Sequence, residues 1–324
     1  MEEQVRAICR NEGLSCGSIQ ALQGGQVNQV FLVDGAYVVR LGEREDAYDR
    51  LKHETELLQS LEGQIPAPRV LAFGQAEGRV YQVQTYVKGE KLYRVWKDLT
   101  ATQEELIAEQ IGEALQVLHA RSFTQFGVGR VDAPRFTMWA DFIAAHLQET
   151  LEDIRHYRFR MEAGFVEMAL EYIDAHKHVL AGGTPTLVHG DLTMVNILAE
   201  GGKMTALLDF EYALQAPADY ELWTMEAFCL YPNDWAEEDN EVFCSADFAS
   251  FIPLLRKSYP ALFETPHLRE RMNIYHLDAA LSSHIAWRKS NLDRIPPESM
   301  AGKHFYMARI TNFTFGHGAR MFFV

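Results

Sequence analysis

Cysteine is scarce: the 324 residues hold four, Cys9, Cys16, Cys229 and Cys244. No two have C-x-x-C spacing, so neither a zinc knuckle nor a disulfide framework is signalled, and free thiols in a reducing compartment are expected. Long apolar runs are missing as well. No stretch approaches the length of a membrane-spanning helix, and Met1-Glu-Glu-Gln-Val-Arg-Ala-Ile-Cys-Arg10 lacks the apolar region of a secretory signal. A cytoplasmic protein without a membrane partner is the expectation. Basic charge is also short, with 30 Lys and Arg against 45 Asp and Glu and a formal net charge of −15. That sign disfavours nucleic acid as a partner. Repeats, low-complexity tracts and Pro-rich linkers are absent.

What is present is a globular composition, 48% hydrophobic and 23% charged, in a chain long enough for two lobes. With no linker to divide it, the one boundary falls at a hinge near residue 88. Residues 1–88 hold 9 Lys and Arg against 12 Asp and Glu, so most of the negative charge lies in residues 89–324. An acidic second part either attracts a cationic small molecule or serves solubility.

The richest stretch is Leu187-Val-His-Gly-Asp-Leu-Thr-Met-Val-Asn-Ile-Leu198, followed by Ala206-Leu-Leu-Asp-Phe-Glu211. Two apolar runs flank Glu200-Gly-Gly-Lys203, a β-hairpin signal with strands near Val195 to Ala199 and Met204 to Phe210. A hairpin closes its open ends together, which brings Asn196 near Asp209. An amide oxygen and a carboxylate then share one rim. Mg²⁺ asks about that much of a protein when waters and substrate phosphates complete its shell. Glu211 follows Asp209 by two, so an extended segment would turn both to one face; it is either a further metal ligand or a solvated carboxylate. Asp191 precedes Asn196 at the Asp-x-x-x-x-Asn spacing of kinase catalytic loops, where the Asp accepts the proton of the attacking hydroxyl. Asp191 is the expected general base.

Upstream, Gly24 and Gly25 form a turn ahead of a second hairpin that closes at Asp34-Gly35. Adjacent glycines let a backbone approach phosphates closely, and Asn28 just beyond is counted with them as nucleotide-binding. Tyr37-Val-Val-Arg-Leu41 is a β-rich run carrying one cation, Arg40. Leu51 to Leu61 has the apolar spacing of an amphipathic helix, with Glu54 near its start. Residues 79–90 alternate as a strand that ends near a glycine.

Together with His189-Gly-Asp-x-x-x-x-Asn196 and Asp209-Phe-Glu211, this order resembles the aminoglycoside phosphotransferase and choline kinase family. The resemblance implies an α+β, two-lobed protein-kinase-like fold with a small β-rich N-lobe (1–88, nucleotide-binding) and a larger helical C-lobe (89–324, catalytic and substrate-binding). It implies Mg²⁺-dependent transfer of the γ-phosphoryl group of ATP or GTP to a small-molecule hydroxyl. By the same resemblance Arg40, where protein kinases use Lys, contacts the α- and β-phosphates and is held by Glu54. Backbone groups from Thr85 to Val87 read the adenine edge, His189 braces the catalytic loop, and Asp219, at a helix start, braces it from behind.

Within such a family the acidic and aromatic C-lobe points to an aminoglycoside or other antibiotic acceptor. A metabolic acceptor of the choline, homoserine, methylthioribose or fructosamine type remains the alternative, as does a nucleotide-binding module without turnover. The C-lobe is expected to carry a helix from a Thr102 cap to His119, with His119 structural. A second helix from Trp139 to Tyr157 has Phe142, Ile143, Leu147, Leu151 and Ile154 on one stripe. The acidic segment Asn233 to Glu241 lies where relatives recognise substrate. Tyr275, His276, Trp287, Phe305, Tyr306 and Phe315 look like packing residues.

Overall fold

The computed structural model describes residues 1–22, 28–42, 46–130, 132–156, 164–236 and 242–289. Helix α1 (Glu2–Asn11) buries Val5, Ile8 and Cys9, the i, i+3, i+4 stripe of an amphipathic helix. That stripe lies on one face of a five-stranded antiparallel sheet. Its strands are β1 (Ile19–Leu22), β2 (Asn28–Val33), β3 (Tyr37–Gly42), β4 (Val70–Ala76) and β5 (Arg79–Thr85), in the order β1-β2-β3-β5-β4. Phe31, Val33, Val39, Leu41, Tyr81 and Val83 complete the core on that side. Helix α2 (Ala47–Leu61) covers the other face, where Leu51 packs on Val80. It begins a turn before Leu51, because Ala47 is already buried against the sheet and Arg50 pairs with Asp46 at 2.6 Å. With helices on both faces, Val80 to Gln84 are all buried, and the expected alternation stops at Thr85.

The chain then crosses to a mainly helical part through β6 (Glu90–Lys91) and α3 (Leu92–Val95). Helix α4 (Ala101–His119) follows, then β7 (Gly127–Val128), α5 (Trp139–His156) and α6 (Phe165–His176). Next come β8 (Thr186–Val188), β9 (Ile197–Glu200), β10 (Lys203–Leu207), β11 (Leu214–Ala216), α7 (Leu222–Leu230), α8 (Phe251–Ser258) and α9 (Leu268–Lys289). Two small sheets, β10-β9-β6 and β7-β11-β8, carry the loops between them. The cap of α4 is Thr100 and not Thr102: its hydroxyl accepts from Gln103 N while the Gln103 side chain returns to the Thr100 N–H. Helix α5 buries Ile143 and Leu147 and leaves Phe142, Leu151 and Ile154 partly covered. Tyr157, and Phe305, Tyr306 and Phe315 of the expected packing set, fall outside the described residues, as does the side chain of Trp287.

Leu57, Leu58, Leu61 and Ile65 join the same core as Leu92, Ile111, Leu115 and Leu118. Each fully buried Leu or Ile side chain contributes about 1.5–3 kcal/mol, so α2 is anchored in the helical part as firmly as on the sheet. Residue 88 is where the chain crosses, not where packing stops. Among the described residues no helix is long and apolar enough to cross a membrane. All four cysteines are free thiols.

Candidate active site

Strands β9 and β10 are joined by Gly201 and Gly202 at φ of 60° and 76°, the left-handed pair that a two-residue hairpin turn requires. Asn196 lies just ahead of β9 in a 3-10 turn, Met194–Asn196, and its carbonyl accepts from Leu208 N at 2.8 Å. The open ends of the hairpin meet there, as the sequence pattern requires. Asp209 then adopts a left-handed conformation, φ 63°, and Phe210–Tyr212 coil into another 3-10 turn. The segment is therefore not extended, and the premise that put Asp209 and Glu211 on one face does not hold. Glu211 is nonetheless buried close by, 3.8 Å from the Arg40 guanidinium and 3.4 Å from the Asn28 side-chain N–H that it accepts.

Asp191 receives two hydrogen bonds from the Asn196 side chain, at its carbonyl (2.8 Å) and at Oδ2 (3.0 Å). Burial, and then the charge of Asp209, push its carboxyl up to about 8. The loop that carries it turns on Gly190 at φ 80°, where a Cβ would strike Tyr212 O and the Leu214 side chain.

The His189 ring is buried between the two loops. Its Nε2–H donates to Leu208 O at 2.8 Å, and Nδ1 accepts from Asp191 N at 3.3 Å, an arrangement that selects the Nε2–H tautomer. Burial pulls its pKa below the ordinary value and keeps the ring neutral. Phe210 packs on it with centroids 4.4 Å apart. The His189 backbone N–H donates to Glu221 Oε2 at 2.8 Å. Asp219 lies elsewhere, bonded to Arg271 at 2.7 and 2.9 Å and to the Tyr275 hydroxyl at 3.0 Å. The carboxylate that reaches the catalytic loop is thus Glu221, two residues further on, which the sequence reading passed over in Asp219-Tyr-Glu221.

Arg40, on β3, faces α2. One Nη donates to Glu54, and the other to Asp209 Oδ1 at 3.1 Å. Burial works against its charge, but Glu54, Asp209 and Glu211 outweigh it and hold the guanidinium pKa above its usual value. The second Glu54 oxygen accepts from Phe210 N at 3.1 Å. Two further side chains of α2, unremarked in the sequence, grip the same turn: His53 Nε2 lies 3.1 Å from Ala213 O, and the Arg50 guanidinium sits 4.8 Å over the Tyr212 ring.

At the end of β5, the Thr85 N–H donates to Arg69 O (2.9 Å) and the Tyr86 N–H to Ala36 O (2.8 Å). Gly24 and Gly25 lie outside the described residues.

Among the described residues no three His, Cys, Asp or Glu side chains gather as a metal cage. Mg²⁺ does not need one, since it keeps several waters and takes one or two carboxylates plus phosphates. Asp209 meets that condition, with its side chain 36% exposed and the hairpin closing Asn196 beside it.

A phosphotransferase enzyme family model matches residues 18–290. The chain belongs to this family. Hygromycin-B 4-O-kinase from Escherichia coli is 23% identical over 303 residues, 87% of this chain and 81% of that enzyme. The crystal structure of aminoglycoside phosphotransferase APH(4)-Ia superposes with a TM-score of 0.68 at 20% identity, covering 99% of this chain and 100% of that one. ADP-bound APH(2'')-Ib gives a TM-score of 0.64 at 17% identity, covering 97% and 98%. A thermostable mutant of APH(4)-Ia in ternary complex with ADP and hygromycin B gives 0.66 at 20% identity, covering 97% and 99%. The fold is α+β and protein-kinase-like. As a member of the family the protein is a phosphotransferase with an alcohol group as acceptor.

Proposed function

We propose that this phosphotransferase moves the γ-phosphoryl group of ATP to a hydroxyl of an aminoglycoside or a similar cationic antibiotic. The observation that carries the reading is the meeting of Asp191, Asn196 and Asp209 at the open end of one hairpin, with Arg40 reaching Asp209 from the sheet. Residues 1–88 would supply most of the nucleotide contacts and residues 89–324 the base and the acceptor cleft.

Asp191 is the group that takes the acceptor proton. Asn196 orients it by holding Oδ2, which leaves Oδ1 for the incoming hydroxyl. Asp209 and Asn196 would hold Mg²⁺, which when bound neutralises phosphate charge; Glu211, shared between Asn28 and Arg40, supports that pair from the buried side. Arg40 offers the α- and β-phosphates a planar fork that stays charged, and Glu54 fixes its direction. Since the Thr85 and Tyr86 amides are already bonded, the adenine edge falls to the Thr85 carbonyl and the Val87 N–H. The backbone of Gly24 and Gly25 would cover the phosphates. Reaction then proceeds by positioning and charge neutralisation, as a loose transition state demands.

The net charge of −15, concentrated beyond residue 88, supports a cationic acceptor. The relative that phosphorylates hygromycin B and the complexes with hygromycin B, streptomycin and gentamicin support the same class. The reading is tested by coupled nucleotide turnover with purified protein, Mg²⁺ and ATP or GTP against hygromycin B, gentamicin, streptomycin, choline and homoserine. Stimulation by an aminoglycoside is expected. Stimulation by choline or homoserine alone would overturn the antibiotic assignment.

A further inference from the structure

Two buried glutamines of β5, Gln82 and Gln84, serve no step of phosphoryl transfer. They are two residues apart on a strand and so share a face. The register sets Gln82 opposite Arg40 of β3 and Gln84 opposite Val38. The row therefore begins beside the cation proposed for the phosphates. It ends one residue short of Thr85, whose carbonyl is proposed to read the base.

A glutamine amide has a donor end and an acceptor end of nearly equal shape, and its neighbours decide which way it points. Here they leave Gln82 one choice. The Thr55 hydroxyl gives its single proton to Leu51 O at 2.6 Å, so toward Gln82 it accepts, and Gln82 Nε2–H donates to it at 2.9 Å. At the other end Arg40 Nη1, a donor only, lies 3.5 Å from Gln82 Oε1. The same Oε1 receives Gln84 Nε2–H at 2.7 Å. Turning the Gln84 amide over would set its oxygen against that of Gln82. Gln84 is thus held with its nitrogen committed and its Oε1 free. That oxygen accepts no hydrogen bond among the described residues, and it is not one of the atoms sealed from solvent without a partner. Gln82 is wholly buried, whereas Gln84 keeps 6% of its surface.

We propose that Gln84 selects the purine of the donor nucleotide, ATP over GTP, through an amide direction imposed by Thr55, Arg40 and Gln82. The 6-amino group of adenine has two protons. One takes the Thr85 carbonyl and the other Gln84 Oε1, while the Val87 N–H donates to the neighbouring ring nitrogen. Guanine carries an oxygen at that ring position and a proton on the neighbouring nitrogen. Its oxygen would meet two acceptors and its N–H another donor, so the wrong base is opposed as well as unassisted. The inference rests on the proposed adenine contacts at Thr85 and Val87. It needs neither the phosphoryl acceptor nor turnover.

The test is calorimetric titration of the full-length protein with ATP and with GTP, in Mg²⁺ and without acceptor, for the parent, Gln84→Met and Gln82→Met. Both nucleotides carry the same triphosphate, so a disturbance of Arg40 cancels in the ratio of their affinities. The parent should hold ATP about tenfold or more tighter than GTP. Gln84→Met removes the acceptor at similar length and should bring the two within about threefold. Gln82→Met frees the Gln84 amide to turn and should narrow the ratio by tightening GTP. A parent that binds GTP as well as ATP, or a parent-like ratio in Gln84→Met, overturns the inference. No binding of either nucleotide by the parent overturns it together with the proposed reaction. A preference for ATP that depends on Gln84, in a protein that none of the acceptors turns over, supports the selection and removes the proposed reaction. Acceptor-stimulated turnover with equal KM for ATP and GTP does the reverse. If Gln84→Met does not fold, Gln82→Met decides alone.

Discussion

The Asn196 side chain bonds Asp191 twice, at the main-chain oxygen and at Oδ2. The proposed base is thereby presented with Oδ2 committed to Asn196. Replacing Asp191 with Asn or Ala should lower turnover by roughly 10²–10⁴ while nucleotide affinity stays near that of the parent, since the carboxylate serves the hydroxyl and not the nucleotide. Steady-state turnover with a stimulating acceptor, together with a nucleotide titration, checks both halves. A variant that turns over at the parent rate would remove Asp191 from the role.

Asp209 has a partly open face, 36% exposed, and its side chain pairs with Arg40. Asp209→Ala should abolish the tightening of nucleotide binding by Mg²⁺. Asn196→Ala should reduce it less, because an ionised carboxylate holds a hard cation better than an amide does. Calorimetry with and without Mg²⁺ reads this directly. Equal metal dependence in the parent and the Asp209 variant would place the ion elsewhere.

The buried pair of Arg40 and Glu54 joins β3 to α2 and, through Phe210 N, to the turn after Asp209. Removing one partner of a buried pair costs about 3–5 kcal/mol, so Arg40→Ala and Glu54→Ala should each lower thermal stability and raise the nucleotide KM. Arg40→Lys keeps the charge but not the fork and should fall between. In the double-mutant cycle the two alanine changes should be clearly non-additive. Additive effects on KM would mean that the pair does not act as a unit on the nucleotide.

His146 lies 2.9 and 3.0 Å from the two oxygens of the buried Asp278. The Asp278 charge outweighs burial and holds the ring up to about 9, above its ordinary 6.5. A raised folded value means that the pair stabilises fully below about pH 6.5 and loses this contribution as pH rises through 9. The ring is partly exposed, so the amount is about 1 kcal/mol. Melting temperatures of the parent and His146→Gln should differ at pH 6 and converge near pH 9.5. A constant difference would mean that the ring acts by packing alone.

How much was legible before the structure depends on sequence distance. The hairpin was readable because Gly201-Gly202 announces its own turn, and the Asp191 and Asn196 spacing is contained within one loop. Arg40 and Glu54 could be matched because each sits in a recognisable strand or helix. The left-handed turn at Asp209 was not, since Asp gives no glycine-like warning of it. The expected α4 cap was Thr102 with Glu105, and the helix starts two residues earlier, at Thr100 with Gln103. The Glu221 bond to His189 spans 32 residues and that of His146 to Asp278 spans 132, and no local pattern announces either.

Helix α2 belongs to the first ninety residues by number but is fastened below them. Leu57, Leu58 and Leu61 sit in the large core, His53 and Glu54 hold the backbone of residues 210–213, and Arg121 reaches from the end of α4 to Ser60. α2 also packs Ala47 and Leu51 on Val80 of the five-stranded sheet, so the same helix is shared by both parts. Asp191, Asp209 and Glu54 are held by that shared helix and the loops of the helical part, and Arg40 stands on the sheet. Its bonds to Glu54 and Asp209 join the two, so the cation proposed for the phosphates also stitches the sheet to the loop that follows β10.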